Sequence, residues 1–144
     1  MKSALKLFVL LLVVLGTSCK KDNAEAKRRL ASLTKAGWLT LKIEEKNTDG
    51  SWKDITPAYS ALEADNQLIF RDNGYCEINE GELKFPGNAQ IAFSGEWTFT
   101  DNASKIQIIG GNLMEILELN DTKLQVLILN IHPFSVILSG ILRF

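Results

Sequence analysis

Glu96-Trp97-Thr98-Phe99-Thr100-Asp101-Asn102-Ala103-Ser104-Lys105-Ile106-Gln107-Ile108-Ile109 is the stretch whose reading decides the fold. Trp97 and Phe99 fall on one side of an extended chain and the polar residues on the other, the alternation of a half-buried strand. Asp101 to Ser104 then supply turn chemistry, and Lys105 to Ile109 form a second run rich in β-branched side chains. Two short strands joined by a polar turn define an antiparallel pair.

The same grammar extends in both directions. Upstream, Trp38 to Glu45 reads as a strand with Leu39, Leu41 and Ile43 on one face and Thr40, Lys42 and Glu44 on the other. Asn47-Thr48-Asp49-Gly50 turns it into Ser51 to Ile55, and Pro57 opens an irregular stretch to Asn66. Gln67 to Phe70 and Tyr75 to Asn79 flank Arg71-Asp72-Asn73-Gly74, a hairpin signal in which Gly74 takes positive φ at little cost. A loop carrying Phe85-Pro86-Gly87-Asn88 leads into Ala89 to Phe93. Downstream, Leu113 to Leu119, Thr122 to Leu129 and Val136 to Phe144 complete the set. No convincing helix of ten residues or more follows Ala36. Eight to ten short antiparallel strands at this spacing point to a barrel or a sandwich. The apolar block from Leu124 to Phe144 is broken by Asn130, His132, Pro133, Ser135 and Ser139, so two core strands fit it better than one membrane helix. Most strands are also shorter than the roughly 9 to 11 residues that an outer-membrane barrel needs.

The N-terminus follows different rules. Lys2 and Lys6, the apolar run Leu7 to Leu15, and Gly16-Thr17-Ser18-Cys19 make a charged start, a short greasy core, small residues and then one cysteine. Nine apolar residues in a helix rising about 1.5 Å each cover roughly half of a ~30 Å hydrocarbon layer, too little to span it. The pattern resembles a bacterial lipoprotein signal. The resemblance implies cleavage after Ser18, with Cys19 becoming the diacylated first residue and anchoring the chain to a membrane of the Gram-negative cell envelope, expected to be the outer one. Two or three acyl chains at ~0.8 kcal/mol per buried methylene make such an anchor stable.

Removal of residues 1–18 leaves 126 residues, enough for one domain with a real core. Its 14 basic and 17 acidic side chains are unevenly spread. Residues 20–35 hold six basic side chains against Asp22 and Glu25, whereas the remainder holds 8 basic and 15 acidic ones. A basic neck therefore joins an acidic body. The neck either meets anionic head groups, at about 1 kcal/mol per cation, or serves as a solvated spacer with a marginal helical turn, since Leu30 and Leu33 are its only large apolar residues. The spacer is the favoured reading. The acidic body argues against nucleic acid as a partner.

A second resemblance rests on Ala36-Gly37-Trp38 in the first strand, Asp65-Asn66-Gln67-Leu68-Ile69-Phe70 before the Gly74-Tyr75 turn, Gly95-Glu96-Trp97 in mid-chain, and the aliphatic ladder after it. Together these resemble the lipocalin-like domains of small Gram-negative lipoproteins. The fold expected is all-β: a small antiparallel barrel of about eight to ten strands, lipocalin-like, over residues 36–144, following the signal (1–18) and the lipidated cysteine with its linker (19–35). The resemblance further implies that Trp38 closes the barrel floor beneath Arg143 of the last strand. A guanidinium over an indole contributes ~0.5 to 2 kcal/mol; the alternative is an Arg143 beside a frayed terminus.

Catalytic constellations are absent from the sequence. The single histidine, His132, falls in the apparent turn Asn130-Ile131-His132-Pro133, and neither a metal site nor a Ser-His-Asp arrangement can be assembled around it alone. Cys76 alternates with Ile78 and reads as a buried, inert thiol. Acidic residues gather at strand ends and turns, without a paired acid and base. The expectation is therefore a non-enzymatic protein without cofactor or metal. Two functions remain open: a barrel whose interior, lined by Leu41, Phe70, Phe93, Trp97 and Phe99, admits a small hydrophobic ligand, or a solidly packed lipoprotein whose acidic outer face contacts a protein or glycan. Leu117, Leu119, Leu124, Val126, Ile128, Ile137 and Ile141 supply bulk enough to fill a small interior.

Overall fold

The computed structural model describes residues 24–129 and 136–143. The expected signal, Cys19 and His132 lie outside the described residues. Within them the chain forms one helix, α1 (24–33), and nine strands: β1 (Gly37–Lys46), β2 (Trp52–Asp54), β3 (Gln67–Phe70), β4 (Tyr75–Asn79), β5 (Ile91–Thr100), β6 (Lys105–Ile108), β7 (Leu113–Leu119), β8 (Lys123–Ile128) and β9 (Val136–Arg143). A single 3-10 turn occupies Thr56–Ala58.

All pairings are antiparallel. β3 to β9 follow one another as an up-and-down meander, and β9 returns to β1 along a register running from Gly37↔Arg143 to Glu45↔Val136. The result is a closed eight-stranded barrel, as expected from the strand spacing, with β2 as an extra strand. Closure leaves no long unpaired edge for another chain to join. Two strands share the second edge of β1. β3 pairs with Trp38 and Leu39, and β2 pairs with Glu44 to Lys46. Between them Thr56 substitutes for a strand: its Oγ1 accepts from the Ile43 amide at 2.9 Å, and the Ile55 amide donates to the Ile43 carbonyl at 3.0 Å.

The lower end of the barrel is packed solid. Trp38, Phe70, Cys76, Trp97, Ile106, Met114, Leu124, Val126 and Ile128 form one buried cluster, joined from below by Leu33 of α1. Trp97 stands edge-on to both Phe70 and Phe99, with ring centroids 5.2 and 5.1 Å away, the geometry that aromatic quadrupoles favour. Its indole N–H donates to the carbonyls of Arg71 and Tyr75. The Phe93 ring lies over Gly95, where an added Cβ would stand 3.0 Å from its Cζ.

The basic neck differs from the spacer expected. Ala24-Glu25-Ala26-Lys27-Arg28-Arg29 are good helix formers, and Glu25 bonds to Arg28 and Arg29 one turn ahead. The physical cause of docking is at the far end of the helix: Leu33 is fully buried and Leu30 packs against the same cluster. Polar contacts fix its seat. Arg29 Nη1 donates to the Ala103 carbonyl at 2.9 Å, Ser32 Oγ to Asp121 Oδ1 at 2.9 Å, and the Trp38 indole N–H to the Leu33 carbonyl at 2.9 Å. That last bond satisfies a C-terminal carbonyl that the helix itself leaves open. The β5–β6 turn beneath it is unusual: Asp101, Asn102 and Ala103 all take positive φ (50°, 56° and 63°), a conformation costing about 1–2 kcal/mol for a residue with a Cβ, less for Asn and Asp.

The faces of β1 also differ from those expected. Strict alternation places Leu39, Leu41 and Ile43 together, but an irregularity between Thr40 and Lys42 resets the phase. Ile43 is consequently buried, whereas Leu41 is 54% exposed on the outside. A second irregularity, between Ile116 and Glu118, turns Leu117 outward in the same way.

Candidate functional site

Above the packed end the interior opens. A cavity of about 420 Å³ lies where β1, β3, β4 and β5 meet the irregular segment 55–66 and the loop 80–90. Thr40, Leu68 and Ile78 reach it from the strands, one step above Trp38, Phe70 and Cys76 on the same inward faces. Tyr59, Leu62, Glu63 and Asn66 line it from the irregular segment, and Glu80, Lys84, Phe85 and Asn88 from the loop, with Ala92 at the start of β5. Five of these twelve residues are apolar and three, Glu63, Glu80 and Lys84, carry charge, so the lining is mixed.

Side-chain bonds to backbone hold the two rim segments together. Asp65 Oδ2 accepts from the Leu83 amide at 3.0 Å, and Asn66 Oδ1 from the Gly81 amide at 3.2 Å. A Cβ at Gly81 would stand 2.0 Å from the Asp65 carboxylate, so a larger residue there would displace that side chain. Gln90 closes the base of the loop by donating to Asn79 Oδ1 and to the Glu80 carbonyl. Two carboxylate oxygens at this junction, Asp65 Oδ1 and Glu80 Oε2, are shielded from solvent without a partner. Glu80 Oε1 accepts only a long bond, 3.3 Å, from Asn88 Nδ2. Lys84 Nζ is engaged with Gln90 Oε1 at 2.9 Å. Burial raises the Tyr59 phenol above its ordinary range, and the nearby Glu63 charge adds to the shift, against a hydrogen bond with Thr40.

The five residues expected to line a cavity are not brought together. Phe70 and Trp97 belong to the solid lower core and Phe99 packs against it. Leu41 faces outward, and Phe93, opposite Ile78, is 39% exposed. Trp38 is buried beside the helix, and the register sets it opposite Leu142, with Arg143 opposite Gly37; the Arg143 side chain lies outside the described residues. Cys76 is fully buried and burial pushes its thiol pKa up, which suits an inert core residue. Among the described residues no group of three or more His, Cys, Asp or Glu side chains is placed to hold a metal ion. Sequence reasoning missed Leu68 and Ile78, although they share a parity with Phe70 and Cys76. It also missed Tyr59 and Leu62, whose spacing of three in a stretch without other large apolar side chains was the available signal.

The closed meander, the helix across one end and the cavity at the other define a small β-barrel of lipocalin-like architecture. No family model matches the chain, and no curated protein matches it. Among solved structures it is similar to bovine odorant binding protein in complex with a selenium-containing odorant, at 16% identity over 80% of this chain and 73% of that one, with a TM-score of 0.45. It is likewise similar to a deswapped triple mutant of the bovine protein, at 16% identity over 76% and 73% of the two chains, with a TM-score of 0.44.

Proposed function

We propose that the chain is a lipid-anchored envelope lipoprotein whose barrel binds a small hydrophobic ligand without catalysing a reaction on it. The observation that carries the binding reading is the open cavity of about 420 Å³ above a solid floor, with Leu62, Leu68, Ile78, Phe85 and Ala92 in its wall. A volume within the ~300–1,000 Å³ of ordinary ligand sites suits a short acyl or alkyl chain or a single ring system. The anchor reading rests on Met1 to Cys19, with acylation at Cys19 holding the barrel at the outer membrane.

Each half has its own test. Metabolic labelling with a fatty-acid analogue is expected to mark the wild type and not Cys19→Ser; a labelled, membrane-bound Cys19→Ser protein would refute the anchor. Titration of the full-length protein with fatty acids, sterols and hydrophobic dyes, followed by intrinsic fluorescence and calorimetry, is expected to give saturable binding. Silence across the panel would leave the alternative, an interaction module that contacts a protein or glycan through its acidic face.

A further inference from the structure

We propose that α1 is the membrane-facing end of the barrel, its outer face resting on anionic phospholipid head groups, so that the cavity opens away from the bilayer; this rests on the anchor reading above. The first observation is length. Cys19 lies five residues before Ala24, where α1 begins, and five extended residues reach at most about 18 Å. The protein end of that tether is fixed, because α1 is held to the barrel through Arg29, Ser32 and the Leu33 carbonyl. β1 climbs from Gly37 beside the helix to Lys46 at the cavity end, ten residues in all. At ~3.3 Å per residue and a tilt of about 40°, such a strand makes a wall roughly 25 Å tall. The helix across the floor adds about 10 Å. With the mouth against the bilayer the tether would have to bridge most of that height, and it is too short.

A short tether alone would still let the barrel lie on its side. Charge selects the upright seat. Lys27, Arg28 and Ala31 are exposed on the side of α1 turned away from Leu33, and Lys35 is exposed just beyond its end. With Arg29 these make four basic side chains in residues 24–35 against Glu25, and Lys20 and Lys21 adjoin Cys19 in the sequence. Asp72, Asp101 and Asp121, in turns at the same end, reduce this positive charge without cancelling it; Asp101 is bonded to Lys105, and Asp121 to Ser32 and Lys35. The opposite end has the reverse sign. Residues 44–66 and 80–90, which carry the segments around the cavity, hold eight acidic and three basic side chains. An anionic surface therefore attracts the helix end and repels the cavity end, over a range of about 8 Å at physiological salt. A ligand is then exchanged with the aqueous side and not drawn directly from the anchoring leaflet.

The test uses the lipidated protein, purified with its acyl chains and reconstituted into vesicles of equal parts phosphatidylglycerol and phosphatidylcholine. Ala31→Cys and Lys53→Cys place a thiol-reactive fluorophore at exposed positions of the helix end and the cavity end, while Cys76 is fully buried and stays unlabelled. Lipids with a nitroxide on the head group are expected to quench the probe at position 31 about threefold more than the probe at position 53. In vesicles of phosphatidylcholine alone, and in Lys27→Glu/Arg28→Gln, the barrel tilts and the contrast should fall to about twofold or less. Quenching at position 53 equal to or above that at position 31 overturns the orientation and leaves the anchor standing. A contrast unchanged in phosphatidylcholine overturns the head-group docking, and one unchanged in Lys27→Glu/Arg28→Gln removes its assignment to the outer face of α1. Protein whose mass shows no acyl chains overturns the anchor reading itself, and the orientation falls with it.

Discussion

Leu33→Ala separates a structural helix from a spacer. Leu33 is completely buried in the lower core although it belongs to the segment that precedes the first strand. Truncating a fully buried leucine costs about 2–5 kcal/mol, the transfer of the lost atoms plus the cavity they leave. Collapse is hindered here, because the helix is pinned at Arg29, Ser32 and the Leu33 carbonyl and cannot slide to fill the hole. A value of about 3 kcal/mol or more is therefore expected. With a urea slope of about 1.5 kcal/mol per molar, the unfolding midpoint drops by roughly 2 M. Leu41→Ala is the matched control, the same chemistry at a site 54% exposed on the outer wall, and should move the midpoint by a few tenths of a molar. Equal shifts for the two variants, with unchanged slopes, would show that α1 contributes no packing and that the segment is a spacer after all.

Trp97→Ala should cost about 3–5 kcal/mol, since it removes two aromatic contacts and an indole donor shared by two carbonyls. Trp52→Ala, at a ring 39% exposed beneath Lys46, should stay within about 1 kcal/mol, and equal losses in denaturant titration would contradict the face assignments. Gly140→Ala should destabilise the closing seam by about 1–3 kcal/mol, because its Cβ would stand 2.8 Å from the Leu39 carbonyl oxygen; an unchanged melting temperature would refute that contact. The Glu25 carboxyl, held down to about 2 chiefly by its hydrogen bonds to Arg28 and Arg29, should titrate by NMR near that value. Its folded pKa lies below the ordinary 4.5, so its support of α1 is complete above about pH 4.5 and fades as pH falls through about 2. Arg28→Gln with Arg29→Gln should return the midpoint toward 4.5.

The strands were legible in the sequence because period-two alternation and turn residues are local signals. Gln67–Phe70, Tyr75–Asn79 and Leu113–Leu119 begin and end where their turns require. What local signals do not carry is a one-residue slip in phase: the irregularity after Thr40 preserves β1 but exchanges the faces of Leu41 and its neighbours. The helix was hidden for a different reason. A ten-residue segment with two leucines is marginal in water, and only the barrel end it covers makes Leu33 a core residue. The cavity was least legible, because two thirds of its described lining comes from the irregular residues 59–66 and the loop 80–88, which alternate with nothing. Aromatic side chains in regular strands suggested a ligand, yet Phe70, Trp97 and Phe99 fill the floor and Phe93 is 39% exposed.

The division of one edge of β1 between β2 and β3 has a consequence for how this barrel can diversify. Both strands take their register from β1 directly, so the chain between them need not preserve any spacing of its own. Lengthening a loop twofold costs only about 0.6 kcal/mol in closure entropy. Residues 57–66 can therefore gain or lose length while the hydrogen-bonded wall and the floor stay as they are. Because Tyr59, Leu62 and Glu63 stand on that segment, such insertions would reshape the chamber's volume and polarity without touching the part of the molecule that makes it fold.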